Sequence, residues 1–249
     1  MRHLEELAAN AWPGLRTALV DGWVVRFADG YARRANSVLP LRDGSSSLEV
    51  RITRCEELFR REGLATAFKL FPEAEPRGLE AELERRGYER QACTSVMVLE
   101  DLNRPHPATI PGISVRIEGR LSEPWFEIYA KDHATPGRNV ETARSIMEHI
   151  VPETRYVLLE GEDGPAACAL AVIEDGWAGI FDVVVRKDLR GRGLGRYLME
   201  RTLVEAAAAG AERSYLQVMD ENLPAVSLYR TMGYRVAYPY WYRVKGGER

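Results

Sequence analysis

The sequence predicts an α/β (α+β) fold in two modules, each a mixed central sheet flanked by helices. Short runs rich in β-branched and aromatic residues alternate with segments of helical apolar spacing along the whole chain. The order strand, loop, helix, strand, Pro-containing turn, helix, Gly-Tyr, strand over Val38 to Leu99 recurs over Val183 to Val244, with Gly87-Tyr88 standing 146 residues before Gly233-Tyr234. Between the two copies, Glu100 to Pro111 carries Pro105, Pro107 and Pro111 among polar residues with few apolar anchors. A boundary falls there, giving domains 1–104 and 105–249.

In chain order, Leu4 to Trp12 predicts a helix closed by Pro13-Gly14. Trp23 to Phe27 predicts a strand, Asp29-Gly30 a hairpin turn, and Tyr31 to Leu39 the returning strand. Gly44-Ser45-Ser46-Ser47 offers caps to a helix from Leu48 to Arg61, stopped by Gly63. A strand at Thr66 to Phe71, a helix through Leu79 and Leu83 to Arg86, and a strand at Ser95 to Leu99 complete the first module. The second module opens with a strand at Ile113 to Ile117 and helices at Glu123 to Ala130 and Val140 to Val151. Strands follow at Arg155 to Glu160, Ala166 to Ile173 and Trp177 to Val185, joined by the turns Glu162 to Pro165 and Glu174 to Gly176. The last elements are a helix from Leu194, a strand at Tyr215 to Met219, a helix through Pro224 to Arg230, and an aromatic terminal strand through Tyr238, Tyr240, Trp241 and Tyr242.

Composition narrows the class. With 45% hydrophobic and 29% charged residues the 249-residue chain is of the globular kind and long enough for a proper core. A net charge of −3 argues against a nucleic-acid partner. No apolar stretch is long enough to span a bilayer and no N-terminal leader is evident, so a cytoplasmic location without a membrane partner is expected. Cys55, Cys93 and Cys168 are odd in number and far apart, without ligand-spaced His, so neither a disulfide framework nor a metal site is expected.

One local feature departs from this even composition. After the β-branched run Val183-Val184-Val185 comes a basic loop, Arg186, Lys187, Arg190, Arg192 and Arg196, with glycine at 191, 193 and 195 before a helix. Glycine permits positive φ and removes the Cβ atoms that would hold a ligand off. Successive amides can then converge at the positive end of the helix, which suits a phosphate group. The spacing excludes G-x-G-x-x-G, because the third glycine comes one residue early, and excludes a Walker loop, because Gly195 is followed by Arg196.

Arg190-x-x-Gly193-x-Gly195 resembles the pyrophosphate loop of the GNAT superfamily of acyl-CoA-dependent N-acyltransferases. The family's second signature is Asn, a short helix carrying Ala and Leu-Tyr, then Gly-Phe or Gly-Tyr. Asn222, Ala225, Leu228, Tyr229, Gly233 and Tyr234 match it in order. The first module resembles a degenerate copy, with Gly44 to Ser47 in place of the glycine loop and Leu83 in place of Tyr229. The resemblance therefore implies a tandem form with two GNAT-like domains, the second catalytic.

The resemblance also implies the chemistry. Acetyl-CoA is the cosubstrate, and no metal is needed. Backbone groups of Val183, Val184 and Val185 would hold the pantetheine arm, and amides of Arg190, Gly191, Arg192, Gly193, Leu194 and Gly195 the pyrophosphate. Asn222 would bond the cofactor arm and Tyr229 would give its proton to the departing sulfur. Asp182, beside the cofactor strand, is the candidate base, with Glu174, Asp220, Glu221 and His133 as competitors. Trp125, Tyr129, His133 and Tyr240 are candidates for lining the acceptor site, although an aromatic terminal strand also suits core packing. The expected reaction moves an acetyl group to a primary amine of a small molecule by direct transfer in a ternary complex. A protein N-terminus or lysine is the alternative acceptor, and a non-catalytic acyl-CoA sensor would require a broken loop or tyrosine. The chain is expected as a monomer or homodimer.

Overall fold

The computed structural model describes residues 1–74, 76–103, 106–134 and 139–246. The boundary expected at residues 104 and 105 lies outside the described residues, as do Thr135, Pro136 and Gly137 of the predicted helix connection. The chain forms two compact units that are not successive in sequence. One comprises Met1–Val96, Val218–Asn222 and Val236–Arg249, the other Met97–Gln217 and Leu223–Arg235.

The first unit carries strands β1 (Arg16–Val20), β2 (Trp23–Phe27), β3 (Val38–Leu39), β4 (Thr66–Leu70), β5 (Glu89–Leu99, of which 97–99 count with the second unit) and β11 (Arg235–Lys245). Their order is β1-β2-β3-β4-β11-β5, so the C-terminal strand completes the N-terminal unit. β11 lies antiparallel to β4, Trp241 facing Leu70 and Tyr242 facing Lys69. Its side chains tie it in: Trp241 Nε1 donates to Glu80 Oε1 at 3.0 Å, and Arg243 Nη1 donates to the Tyr88 carbonyl at 3.1 Å. Helices α1 (Arg2–Ala11), α2 (Leu48–Arg61) and α3 (Leu79–Arg85) flank this sheet. α2 follows from its sequence: Ser47 Oγ caps Val50 N–H, Ile52, Cys55 and Phe59 recur on one face, and Gly63 at φ +66° ends the run. That face packs on Val25, Phe27 and Phe68 of the sheet. Each fully buried large side chain stabilises by about 1.5–3 kcal/mol.

One element is added and one is shortened. Asp29-Gly30 turns as expected, both at positive φ with Tyr31 N–H donating to the Ala28 carbonyl at 2.9 Å, and β3 returns antiparallel to β2. The added element is a hairpin at Asp21-Gly22: β1 pairs antiparallel with β2 around these two residues, both at positive φ, as a two-residue turn with the right twist requires. β1 is largely exposed, so it lacks the apolar alternation that marks a strand in sequence. The returning strand expected over Tyr31 to Leu39 shrinks to Val38–Leu39. The Asn36 side chain accepts from Ala28 and Gly30 N–H and donates to Ala28 and Ala32 carbonyls, holding a loop where a ladder was expected.

The second unit carries β6 (Ser114–Glu118), β7 (Glu153–Gly161), β8 (Gly164–Glu174), β9 (Trp177–Val185) and β10 (Arg213–Met219, whose last two residues count with the first unit). They run in the order β10-β9-β8-β7-β6, antiparallel except for β9 with β10. Helices α4 (Glu123–His133), α5 (Val140–Glu148), α6 (Leu194–Ala208) and α7 (Leu223–Thr231) belong to this unit. Leu194, Tyr197 and Leu198 of α6 pack on Val157, Leu159, Ala167 and Ala169. The mostly small inward residues of β8 let the helix come close.

Candidate active site

The site is built where β9 ends. The chain leaves Val185, makes one short turn at Lys187–Leu189 and enters α6 with Gly193 as its N-cap. Gly191 has φ +78° and Gly193 φ +82°, and a Cβ at either would meet no atom within 4 Å. Glycine therefore supplies the left-handed backbone and an open approach, not relief from a clash. The first amides of α6 have no carbonyl one turn back, and they sit at the positive end of the helix dipole. Gly195 does another task. A Cβ there would lie 3.6 Å from Val185 Cγ2 and 3.7 Å from Leu228 Cδ2, so β9, α6 and α7 converge on it. Arg196 Nη2 donates to Thr231 Oγ1 at 3.2 Å and fastens the same helix start to α7.

The basic residues are not all aimed at solvent. Arg190 Nε donates to the Val185 carbonyl at 2.9 Å and Nη2 to Asp132 Oδ1 at 2.7 Å, bracing the loop against β9 and α4. Arg186 forks onto Asp188 at 2.8 and 3.0 Å. Arg192 is exposed on the loop between the two left-handed glycines. Beside this turn lies a cavity of about 360 Å³ lined by Ile128, Lys131, Asp132, Val184, Arg186 and Asp188, among others.

β9 is irregular where the chemistry is expected. It pairs in parallel with β10 from Trp177/Arg213 only to Ile180/Leu216, although it runs on to Val185. That ladder stops there and leaves the edge of Phe181–Val185 outside it. On its other edge Cys168 faces Val184 and Leu170 faces Phe181, so the single residue Ala169 stands against both Asp182 and Val183. This is a β-bulge with Asp182 at φ +51°, a conformation that Asp tolerates better than most residues. Bulges bend a strand and re-aim its side chains, and they recur beside active sites. The Ala169 carbonyl at the register shift accepts the Trp125 indole N–H at 3.0 Å.

The candidate side chains are placed as follows. Tyr229, on α7, is 8% exposed, and burial pushes its phenol up to about 12. It stays protonated at neutral pH, with a proton it is able to donate. Its ring lies 6.0 Å from that of Tyr234, whose hydroxyl is 2.7 Å from Ser214 Oγ. Asp182 is half-buried. Its charge adds to burial in pushing the Cys168 thiol and the Tyr156 phenol up, which sets it among buried groups of its own unit. Asn222 directly precedes α7 and donates its backbone N–H to the Met219 carbonyl, and it counts in the first compact unit. Asp220 accepts from Ser95 Oγ at 2.7 Å, a tie within the first unit.

Of the residues expected to line an acceptor site, Trp125 and Tyr129 are core. They are 0% and 1% exposed, stacked on each other at 5.9 Å, and Trp125 meets Tyr156 edge-on at 5.2 Å. His133 ends α4, stacked at 4.1 Å on Tyr129 and half-buried. Tyr240 is buried in the first unit, with Lys69 Nζ 3.9 Å from its ring centre. Large aromatics carry the greatest gain on burial, and here that gain has gone into packing. The bulge and the early end of the β9–β10 ladder are not foreseen from sequence. The bulge has one sequence mark, an acid inside Ile180-Phe181-Asp182-Val183-Val184-Val185; the end of the ladder has none, since it depends on how far two distant strands pair.

The first unit holds the counterpart of the loop, Gly44 to Ser47 before α2, and there the amides are already taken. Asp21 Oδ1 accepts from Ser45 N–H at 3.1 Å and Oδ2 from Ser46 N–H at 2.6 Å. A Cβ at Gly44 would run into Asp21.

A mixed sheet flanked by helices, with a glycine loop between a bulged strand and the next helix, is a fold shared with GNAT acetyltransferases. The chain belongs to the family described as "Probable histone acetyltransferase Rv0428c C-terminal", whose profile matches residues 1–243. It is 29% identical over 257 aligned residues to the uncharacterized N-acetyltransferase YobR of Bacillus subtilis, covering 98% of each chain. Its fold is similar to a GCN5-related N-acetyltransferase from Kribbella flavida, with a TM-score of 0.73 at 17% identity over 99% of this chain and 96% of the other. It is also similar to a tandem GNAT protein from the clavulanic acid biosynthesis pathway, with a TM-score of 0.69 at 15% identity over 99% and 89% of the two chains. The protein is a GNAT-type N-acetyltransferase of mixed α/β fold and tandem kind. Among the described residues no helix is long and apolar enough to cross a membrane, and no group of three or more His, Cys, Asp and Glu is placed to hold a metal.

Proposed function

We propose that the protein moves an acetyl group from acetyl-CoA directly to the primary amine of a small molecule, with both substrates bound together. The observation that carries this reading is the edge of Phe181–Val185 left outside the β10 ladder, with the Gly191 and Gly193 amide loop following it. Acetyl-CoA supplies a thioester whose acyl carbon bonds to the amine nitrogen as the carbon–sulfur bond breaks. Amides of Arg190 to Gly195 hold the pyrophosphate, and the open edge of Val183 to Val185 holds the arm. Asn222 is retained as a contact to that arm on the sequence resemblance alone. Tyr229 gives its proton to the leaving sulfur: burial keeps the hydroxyl protonated, and a positioned acid contributes about 10²-fold or more. Asp182 takes the proton from the amine, directly or through one water.

A small acceptor is favoured by the concave space beside the loop. About 360 Å³ is within the range of small-ligand sites, and its lining carries both signs of charge, with Lys131, Arg186 and Lys187 against Glu127, Asp132, Asp163 and Asp188. A basic peptide would call for an acidic surface instead. The competing acceptor is a protein amine, which the family's description as a probable histone acetyltransferase favours. Thiol release from acetyl-CoA, measured across a library of small amines with a histone-tail peptide and a free N-terminal peptide in the same plate, separates the two. Turnover on small amines well above both peptides is expected. Selective turnover of a peptide would replace the small-molecule reading.

A further inference from the structure

We propose that the first compact unit contains a binding site for the carboxylate of a small molecule, built on Arg26, Arg34, Trp12 and Ser37. Arg26, on β2, is 5% exposed. Among the described residues its guanidinium makes one hydrogen bond, from Nη1 to the Trp12 carbonyl at 3.5 Å, the outer limit for such a bond, and its Nε makes none. A buried guanidinium so poorly compensated is costly, and buried charges in proteins are normally paired. Two neutral donors around it are in the same condition. The Trp12 indole Nε1 and the Ser37 hydroxyl are buried without a hydrogen-bond partner among the described residues. Ser37 lies next to Arg26 across the strands, its carbonyl accepting Arg26 N–H at 3.1 Å.

The charge in this region is one-sided. Glu5 is the only buried acidic side chain among the described residues, and it is committed elsewhere: Lys69 Nζ is 2.5 Å from its Oε2, and the Tyr238 hydroxyl donates to its Oε1 at 3.0 Å. Arg34 is half-buried close by, its guanidinium 5.1 Å from the Trp12 ring, and Lys69 is matched by Glu5, which leaves Arg26. What is lacking is one negative charge with several acceptor lone pairs. A carboxylate has both, and its plane matches the guanidinium fork. Trp12, Tyr240 and Tyr242, buried in the same unit, are aromatic surroundings that suit a partly apolar body behind it. Arg34, the least buried of these groups, marks the way in.

The site stands independently of the acetyl-transfer reading, because its test contains no acetyl-CoA. The unfolding temperature of the full chain is measured against rising propionate, inorganic phosphate and n-propylamine at matched ionic strength. Propionate should raise it saturably, and the other two should not. Arg26→Met should abolish the response while the protein without ligand unfolds no lower than wild type, since an uncompensated buried charge has been removed. Arg34→Gln, at a half-buried position, should weaken propionate binding by about tenfold, and it decides the matter should Arg26→Met not fold. A wild type indifferent to propionate overturns the proposal and leaves Arg26 as a packing residue. An equal response to phosphate shows an adventitious ion only, and a response kept in both variants places the carboxylate elsewhere.

Discussion

The carboxylate of Asp21 lies 2.6 Å from the backbone nitrogen of Ser46, and its other oxygen lies 3.1 Å from that of Ser45. The chain's own anion occupies the amides of the loop just before α2, in the unit whose sequence resembles a degenerate copy. The hairpin turn carries it there, with Asp21 at φ +43°. The Ser46 and Ser45 amides hold the Asp21 carboxyl down to about 2, from an ordinary 3.8. A folded value below the unfolded one gives stability that is present above the unfolded value and lost as pH falls through the folded one. Asp21→Asn should therefore be less stable than wild type at pH 7, with the gap closing between about pH 4 and pH 2. Denaturant unfolding at a series of pH values checks this, and a gap independent of pH would remove the carboxylate as its source.

Tyr229→Phe removes one hydroxyl from a buried ring and almost no volume. The affinity for acetyl-CoA should hold, while kcat falls about tenfold or more, because the lost interaction is made only as sulfur departs. Steady-state kinetics with a fixed amine, and separate calorimetry of cofactor binding, measure the two. Unchanged kcat would return Tyr229 to packing against Tyr234.

Asp182 has both a shape and a charge. Asn accepts the same left-handed backbone, so Asp182→Asn should keep the bulge and lose only the proton acceptor. The rising limb of rate against pH should then fall in plateau or move. A profile matching wild type would leave Asp182 as the bulge residue alone, and Asp182→Val, a β-branched side chain at φ +51°, should destabilise by about 1–3 kcal/mol in thermal unfolding.

Features legible in the sequence were those with short-range causes. The glycine loop, α6, α7 and the strand β9 are written in local spacing: Gly191 and Gly193 take the positive φ that glycine suggests, and Leu194, Tyr197 and Leu198 face the core as their period requires. The partners of these elements were not legible. β11 returns to pair with β4 in the first unit, and nothing within Tyr238 to Tyr242 names Glu80 or Glu5 as its anchors. Trp125 and Tyr129 look alike in sequence whether they line a site or fill a core, and only packing against Tyr156 separates the two. β1 was hidden by its exposure, although the Asp21-Gly22 pair that ends it is a hairpin signal in its own right.

Calorimetric titration of the full chain with acetyl-CoA tests most directly the assignment of the cofactor to the loop before α6. One equivalent should bind. Gly193→Asp should lose most of that binding while the chain stays folded, because a Cβ at φ +82° strains the turn and a carboxylate repels the pyrophosphate. A stoichiometry near two, or undiminished binding by Gly193→Asp, would contradict a single site on this loop.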